Sequence, residues 1–460
     1  MANTIVTVNV SQTVALTPST LQKMGALISQ GATTTAVGSY TMLTQLMDLT
    51  SILTGALAIT SMAWGSSVVT VTTTAPHGFT TADTLPLTIS GVTPAGYNGT
   101  FTCTITGANT FTYPLVSNPG TATVQGKYTP EDVNELLAMA TTFFAQGSQQ
   151  AVYVLELGAG NATDGAAALT TWLTANPGIF YSYLVPRTWD ANSGFLSLLA
   201  SFESTTAKTY FYITTTVGTY TSYTVLMKCA FVMIEAPGVA GSLEFSNASA
   251  FWVTLNYNPN ILNKVTPTAF SYVYGVTPYP VKGNGDLFAS LKAAGVNIIG
   301  TGAEGGISNA ILLWGTTMDV RDFTYWYSVD WVQINIDLAV ANAVINGSNN
   351  PINPLYYNQD GINRLQNVVI NVMNSGVAFG LVLFPPKGVQ LMGSELGRSL
   401  EYGVYNGYTV VNAVPFIPYS QSNPGDYKIG KYAGLSTVYT PNRGFTNIVF
   451  NINVTDFVAV

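Results

Sequence analysis

Between residues 151 and 237, short apolar runs alternate with helix-like segments, and this constrains the fold more than any other feature of the chain. Residues 152–157, 180–185, 210–213 and 230–234 are the apolar runs, and 166–173 and 194–202 have helical spacing. Apolar runs of strand length flanked by helices are strands buried on both faces, which implies a mostly parallel sheet covered on both sides. Residues 21–64 and 127–280 are therefore read as an α/β outer or middle domain. Its helix after 128 carries start signals: Thr129 as a cap, Pro130 at the first helical position, and Glu131 and Asp132 at the positive end of the helix dipole.

Residues 65–126 interrupt this pattern. They are Thr-rich, alternate with period two, and carry turn signals at His77-Gly78, Ser90-Gly91, Asn98-Gly99, Gly107 and Pro119-Gly120. They are expected to form a small all-β insertion. Beyond Pro278 the reading changes to α+β. Val329, Val332, Ile336, Ala339, Val340 and Ala343 make one helical stripe, and Ile362, Leu365, Val369 and Val372 make another. Residues 281–445 are read as one α+β region, strand-like from Gly380 onward. Near the start, Pro18 closes an arm, and 19–27 is expected to begin a short helix.

Both ends of the chain read as bare strands. Ile5 opens a run in which Val6, Val8 and Val10 alternate with Thr7, Asn9 and Ser11; Ile448, Phe450, Ile452 and Val454 alternate with Val449, Asn451, Asn453 and Thr455. Chain ends fray unless tied down. Residues 1–20 and 446–460 are thus expected to be arms that pair with other elements, with neighbouring copies above all.

Composition supports a chain that lives among partners. Charged residues make up 8% of it, against roughly 25% in an ordinary soluble domain, so it lacks the charge repulsion that keeps molecules apart. A net charge of −7 and the lack of any Lys/Arg cluster argue against nucleic acid. The most apolar stretch, 49–64, is interrupted by polar residues and falls short of the ~20 residues a membrane-spanning helix needs. No basic stretch followed by an apolar run marks a signal peptide. Cys103 and Cys229 are far apart, with no sign of a disulfide or a metal pair. A protein made and kept in a cytoplasm is the simplest reading.

The chemistry-bearing residues give no case for an enzyme, a cofactor or a metal. His77 is the single histidine and lies in a turn signal. Residues 300–305 match G-x-G-x-x-G after a strand-like run, but Glu304 would face a phosphate with negative charge and 307–314 does not clearly open a helix. Glu395 and Glu401 are six residues apart, off a common helix face, with Arg398 between them as a surface partner. The aromatics of 323–331 read as core or subunit interface ahead of a sugar platform.

Three stretches resemble the contractile tail sheath proteins of bacteriophages. The first is Thr142-Phe143-Phe144-Ala145-Gln146-Gly147 with the strand Ala151-Val152-Tyr153-Val154-Leu155. The second runs from Asn176-Pro177 through Tyr183-Leu184-Val185-Pro186 to Tyr210-Phe211-Tyr212-Ile213. The third joins Gly295-Val296-Asn297-Ile298-Ile299, Trp314-Gly315-Thr316-Thr317 and Tyr325-Trp326-Tyr327-Ser328-Val329, then continues to Asn353-Pro354 and Asn374-Ser375-Gly376. One departure is that the basic pair usual after the Tyr-rich segment is replaced by Trp331-Val332-Gln333, as in a divergent branch. Residues 65–126 resemble a separate β-module of phage structural proteins, on Ala75-Pro76-His77-Gly78-Phe79, Ile89-Ser90-Gly91, Tyr97-Asn98-Gly99-Thr100-Phe101 and Asn109-Thr110-Phe111-Thr112-Tyr113. Its role is read as surface decoration, with sugar binding as the alternative.

The resemblance implies a non-enzymatic virion protein, assembled in the bacterial host cytoplasm as a helical homo-oligomer of stacked hexameric rings. Its partners would be the tail tube, baseplate and tail terminator proteins. Terminal strands exchanged between copies would hold the sheath together while it contracts, driving the tube through the host envelope for genome ejection. The resemblance also implies that 281–445 is the conserved sheath core domain, which the N-terminal arm would complete. The rival readings are a secreted surface-layer or adhesin protein, a virion carbohydrate-binding or depolymerase protein, and a tail-tube protein, which the strand–helix alternation of 151–237 contradicts.

Overall fold

The computed structural model describes residues 20–147, 150–204, 207–223, 227–239, 244–280, 283–303, 307–383, 385, 387–390, 404–405, 408–409 and 412–445. They divide into two compact units. The larger holds 21–328, 379–381 and 442–445; the smaller holds 329–378 and 382–441.

The larger unit begins with β1 (Gly25–Ser29), β2 (Tyr40–Leu43) and the short helix α1 (Leu46–Thr50). Six strands then form a closed barrel: β3 (Leu57–Gly65), β4 (Val68–Thr73), β5 (Thr84–Thr93), β6 (Gly99–Gly107), β7 (Thr110–Pro114) and β8 (Val124–Pro130). After it come α2 (Glu131–Ala145), β9 (Val152–Glu156), α3 (Ala162–Ala175), β10 (Ser182–Leu184), α4 (Ser193–Phe202), β11 (Tyr210–Thr215), β12 (Ala230–Ile234), α5 (Ser246–Leu255), α6 (Gly285–Ala294), β13 (Asn297–Ala303) and β14 (Ile307–Leu313). Eight of these strands make one sheet in the order β14-β13-β12-β11-β10-β1-β9-β2. The pairs from β9 through β1 to β13 are parallel, and the edge strands β2 and β14 are antiparallel to their neighbours. The mostly parallel sheet expected from the strand–helix alternation is present.

β1 corrects the expectation of a helix over 19–27. Leu21, Met24 and Leu27 have helical spacing, but only Leu21–Lys23 turns, as one 3-10 turn, before β1 begins. β1 inserts between β9 and β10 in mid-sheet, where all five of its residues are buried. Burial on both faces selects a continuous apolar strand here, and the pull of the sheet overrides the local spacing.

The barrel is wider than the 65–126 segment read from turn signals. Leu57–Gly65 and Val124–Pro130 are its first and last strands, and they close it through Leu57↔Tyr128. Alternate residues Val69, Val71, Leu87, Ile89, Ile105 and Phe111 fill the interior, while threonines such as Thr88 and Thr100 meet outside at 2.9 Å. Gly126 has φ +69°, and a Cβ there would lie 2.3 Å from the Ser90 carbonyl oxygen, so the β5–β8 crossing requires glycine. Because β8 runs through Pro130, α2 has Pro130 as its N-cap and starts one residue later than Thr129 capping implies; Glu131 and Asp132 do occupy its first turn.

The smaller unit contains most of α7 (Phe323–Asn349), then α8 (Gln359–Ala378), β15 (Lys387–Gln390), β16 (Val404–Tyr405), β17 (Tyr408–Thr409), β18 (Ala413–Phe416) and the short α9 (Pro424–Lys428). β15 and β18 pair in parallel. α8 buries Ile362, Val369 and Met373 on the side read from its stripe. Mixed helix and sheet fits the α+β reading of this region. The sheet, however, takes in β13 and β14, so the strands of the first fold continue past residue 280.

Candidate functional site

Among the described residues, the chemical candidates are absorbed into the fold. His77 is buried in the barrel; its Nδ1 accepts from the Phe79 backbone N–H at 3.2 Å and its ring stacks on Phe79 at 5.2 Å. Burial lowers its pKa, against the opposing pull of the Gly107 and Thr110 backbone. Cys103 and Cys229 are both unbridged and buried, in separate cores. Burial pushes the Cys103 thiol up to about 12, leaving it protonated and unreactive at neutral pH. Among the described residues no group of three or more His, Cys, Asp or Glu could hold a metal.

Residues 300–303 of the glycine-rich segment end β13, and the next described residues form the antiparallel strand β14. No helix N-terminus follows to hold a phosphate. A Cβ on Gly300 would lie 2.4 Å from Leu313 Cδ1, so tight packing across this hairpin explains that glycine. Phe323, Trp326 and Tyr327 are buried; Tyr327 meets Tyr181 and Tyr257 edge-on at 6.3 and 5.1 Å. Those aromatics are core. Glu395, Arg398 and Glu401 lie outside the described residues.

Open parallel sheets usually bind ligands beyond the carboxyl ends of their strands. Here two charged groups, Glu156 and Arg187, tie parts of that rim together. Glu156, at the end of β9, accepts from the N–H groups of Gly31, Thr33 and Gly158 at 2.7, 3.1 and 2.7 Å, and from the Ser29 and Thr33 hydroxyls at 2.6 and 2.7 Å. Arg187, just beyond β10, donates to both oxygens of Glu235 at 2.8 and 2.9 Å and to the Glu244 carbonyl at 2.6 Å. It also pairs with Glu135 of α2 at 3.4 Å and lies over the Phe245 ring at 4.1 Å. Burial pushes the Glu135 carboxyl up, and Arg187 partly offsets it. Nearby, burial first, and then the charges of Glu135, Glu131 and Glu156, raise the Asp132 carboxyl to about 8. These bonds hold loops and α2 to the sheet at its rim.

Strand edges are also available. β14 is covered: the Phe270 and Val273 N–H groups donate to Leu312 and Ala310, and Leu312 donates back to Ser271. β2 has β9 on one flank and no strand on the other among the described residues, with Tyr40 and Met42 exposed beside it. In the smaller unit, β18 is flanked by β15 and, through Ala413↔Val438 and Phe416↔Leu435, by the returning chain. β15 has β18 alone among the described residues. Unpaired edges are templates for a strand from another chain. The sequence-derived arm residues Ile5, Val6, Val8 and Val10, and Ile448, Phe450, Ile452 and Val454, all lie outside the described residues. No helix among the described residues is long and apolar enough to cross a membrane.

No family model matches this sequence, and no curated protein does. Solved structures do match. One is a chain in the cryo-EM structure of the anti-feeding prophage helical sheath in its contracted state, at 12% identity and a TM-score of 0.51, over 98% of this chain and 99% of that one. Another is a chain of the anti-feeding prophage baseplate, 6-fold symmetrised, with the same identity and TM-score over 98% of both chains. The fold of this chain is thus similar, from end to end, to that of chains in a contractile sheath and its baseplate.

Proposed function

We propose that this chain is the structural, non-enzymatic subunit of a phage-type contractile tail sheath. The carrying observation is the likeness in fold to a helical sheath chain over 98% of this chain, with almost nothing left over on either side. The scarcity of charge supports a role among many copies.

In this reading the copies polymerise helically around a tail tube and dock on a baseplate at one end and a terminator at the other. Heterologous contacts that do not close give such a filament. The arms at 1–20 and 446–460 exchange strands with adjacent copies. A seven-residue strand spans about 23 Å, long enough to bridge neighbouring subunits. Backbone ladders at the arms let subunits reorient while staying linked, and the contracted form buries more surface between them. Completion of the core by the N-terminal arm, assembly in the host cytoplasm and delivery of the phage genome belong to the same proposal.

Electron microscopy of the purified full-length chain tests it. Helical tubes with a wide lumen are the expected product. A chain that stays monomeric across salt and protein concentrations would overturn the reading.

A further inference from the structure

A cavity of about 300 Å³ lies where the barrel meets the carboxyl rim of the sheet. Thr84, Leu85 and Pro86 of β5 form one wall, and Asp132 in the first turn of α2 forms another. Residues 160–163, which follow β9 into α3, and Thr188 and Asn192, which follow β10, complete it. The sheet favours a ligand at this place. β1 and β10 are neighbours, yet the chain leaves β1 toward β2 on one side and leaves β10 toward β11 on the other. Open parallel sheets bind ligands in the crevice at such a reversal.

Charge narrows what the cavity can take. Among the described residues no Lys or Arg lines it. α3 and α4 begin there, with Asn161 and Asn192 as their caps, and the positive ends of two helices work against a cation. Glu131, Glu135 and Glu156, whose charges reach Asp132, work against an anion. With its value raised to about 8, the Asp132 carboxyl itself is mostly protonated at neutral pH. A neutral ligand is what remains.

Hydrogen bonding narrows it further. Burial and neighbouring charges act on the Asp132 carboxyl, and no hydrogen bond from a described residue reaches it. Asp83, one residue before Thr84, accepts from Asn161 Nδ2 at 3.0 Å through Oδ1, while its Oδ2 is buried without a partner among the described residues. Acceptors left this way call for donors from outside. Asn192 Nδ2 donates to Thr163 Oγ1 at 3.1 Å, which leaves the Thr163 hydroxyl hydrogen to donate onward. Leu85, Pro86 and Ala162 add an apolar patch beside these polar groups. Hydroxyls that both donate and accept, carried on a ring with C–H faces, match this lining. Ligand pockets run from roughly 300 to 1,000 Å³, so a cavity at the small end holds one ring.

We propose that this cavity binds a single neutral sugar ring, its hydroxyls bonded to Asp132, Thr163 and Thr188 and its C–H face against Leu85 and Pro86. The proposal stands apart from the sheath reading. It gives the barrel a share in a binding site that neither the barrel nor the sheet forms alone.

Saturation-transfer NMR on the full-length chain tests it. The neutral probes are glucose, galactose and mannose, and the charged forms of each ring are its amino sugar and its uronate. At least one neutral ring should bind, with both of its charged forms about tenfold weaker. The methyl glycoside of that sugar then separates two sources: binding equal to the free sugar points to the terminal unit of a chain, and loss of binding to the free monosaccharide. Asp132→Leu should weaken binding roughly tenfold or more, while Asp132→Asn, which keeps a neutral hydrogen-bonding group, should stay within about threefold of the parent. Thr188 is exposed, so Thr188→Trp can fill the opening without disturbing the core, and it should abolish the signal. Tightest binding by an amino sugar or by a uronate would overturn the proposal, because the site would then select charge. Failure of every neutral ring to bind, or binding that Asp132→Leu and Thr188→Trp both leave unchanged, would overturn it as well.

Discussion

The barrel and the eight-stranded sheet solve the same problem in opposite ways. The barrel, β3 to β8, closes on itself, so each of its strands has two neighbours. Its interior is apolar, its outside is rich in threonine, and it leaves no edge to offer. The sheet of β1, β2 and β9 to β14 is open, and it spends charged groups such as Glu156 and Arg187 on tying its loops and helices down. A closed barrel can be carried as a passenger. An open sheet whose edge at β2 has no further strand among the described residues has surface left for assembly. The expectation is that assembly depends on the sheet-bearing body and ignores the barrel.

Several changes would break or sharpen that contrast. Arg187→Ala leaves Glu135 and Glu235 buried without their counter-charge, and should cost about 3–5 kcal/mol; calorimetry should show the body melting earlier while the barrel's transition stays put. If both shift together, the two parts are one cooperative unit. Phe111→Ala, at a fully buried barrel position, should cost about 3–4 kcal/mol in the barrel yet leave tubes intact by electron microscopy. Asp132→Asn should act in the opposite sense and depend on pH. The Asp132 carboxyl is raised to about 8 in the fold, so the folded state holds its proton more tightly than the unfolded one. Stability from this group is full below the unfolded value near 4, and is lost as pH rises toward 8. The variant should therefore gain stability over the parent at pH 9 and little at pH 4, as read from urea midpoints. Smallest of all should be the effect of removing the barrel. Leu57 and Tyr128 are paired across β3 and β8, so a short Gly/Ser bridge from residue 56 to 131 spans one strand spacing. Tubes should form as before; loss of folding would show that the barrel is part of the body.

How much of this was legible in the sequence varied by region for physical reasons. β12 matches its apolar run residue for residue, because all five of its residues are buried and Glu235 ends the run. α5 left no stripe to read: nearly all of its residues are buried, Ser246, Asn247 and Ser249 included, so its polar side chains face protein as its apolar ones do. β1 was hidden by a helical spacing that only the surrounding sheet overrides. The barrel was recognisable from its alternation, but its outer strands were not, since Leu57–Gly65 merges with the apolar stretch before it. For the candidate sites, the weakness of His77, the cysteines and the glycine motif was visible in their isolation. A surface groove of about 740 Å³ was not, because its walls come from positions as distant as Lys23, Gln150 and Tyr272. Only folding brings those residues together.

The account stands on protomers that lend their ends to one another. A density map of the assembled tube, traced through residues 5–11 and 448–454, tests this most directly. The expected trace has each of these segments lying against a neighbouring subunit. A trace in which both segments return to the molecule they belong to would contradict it.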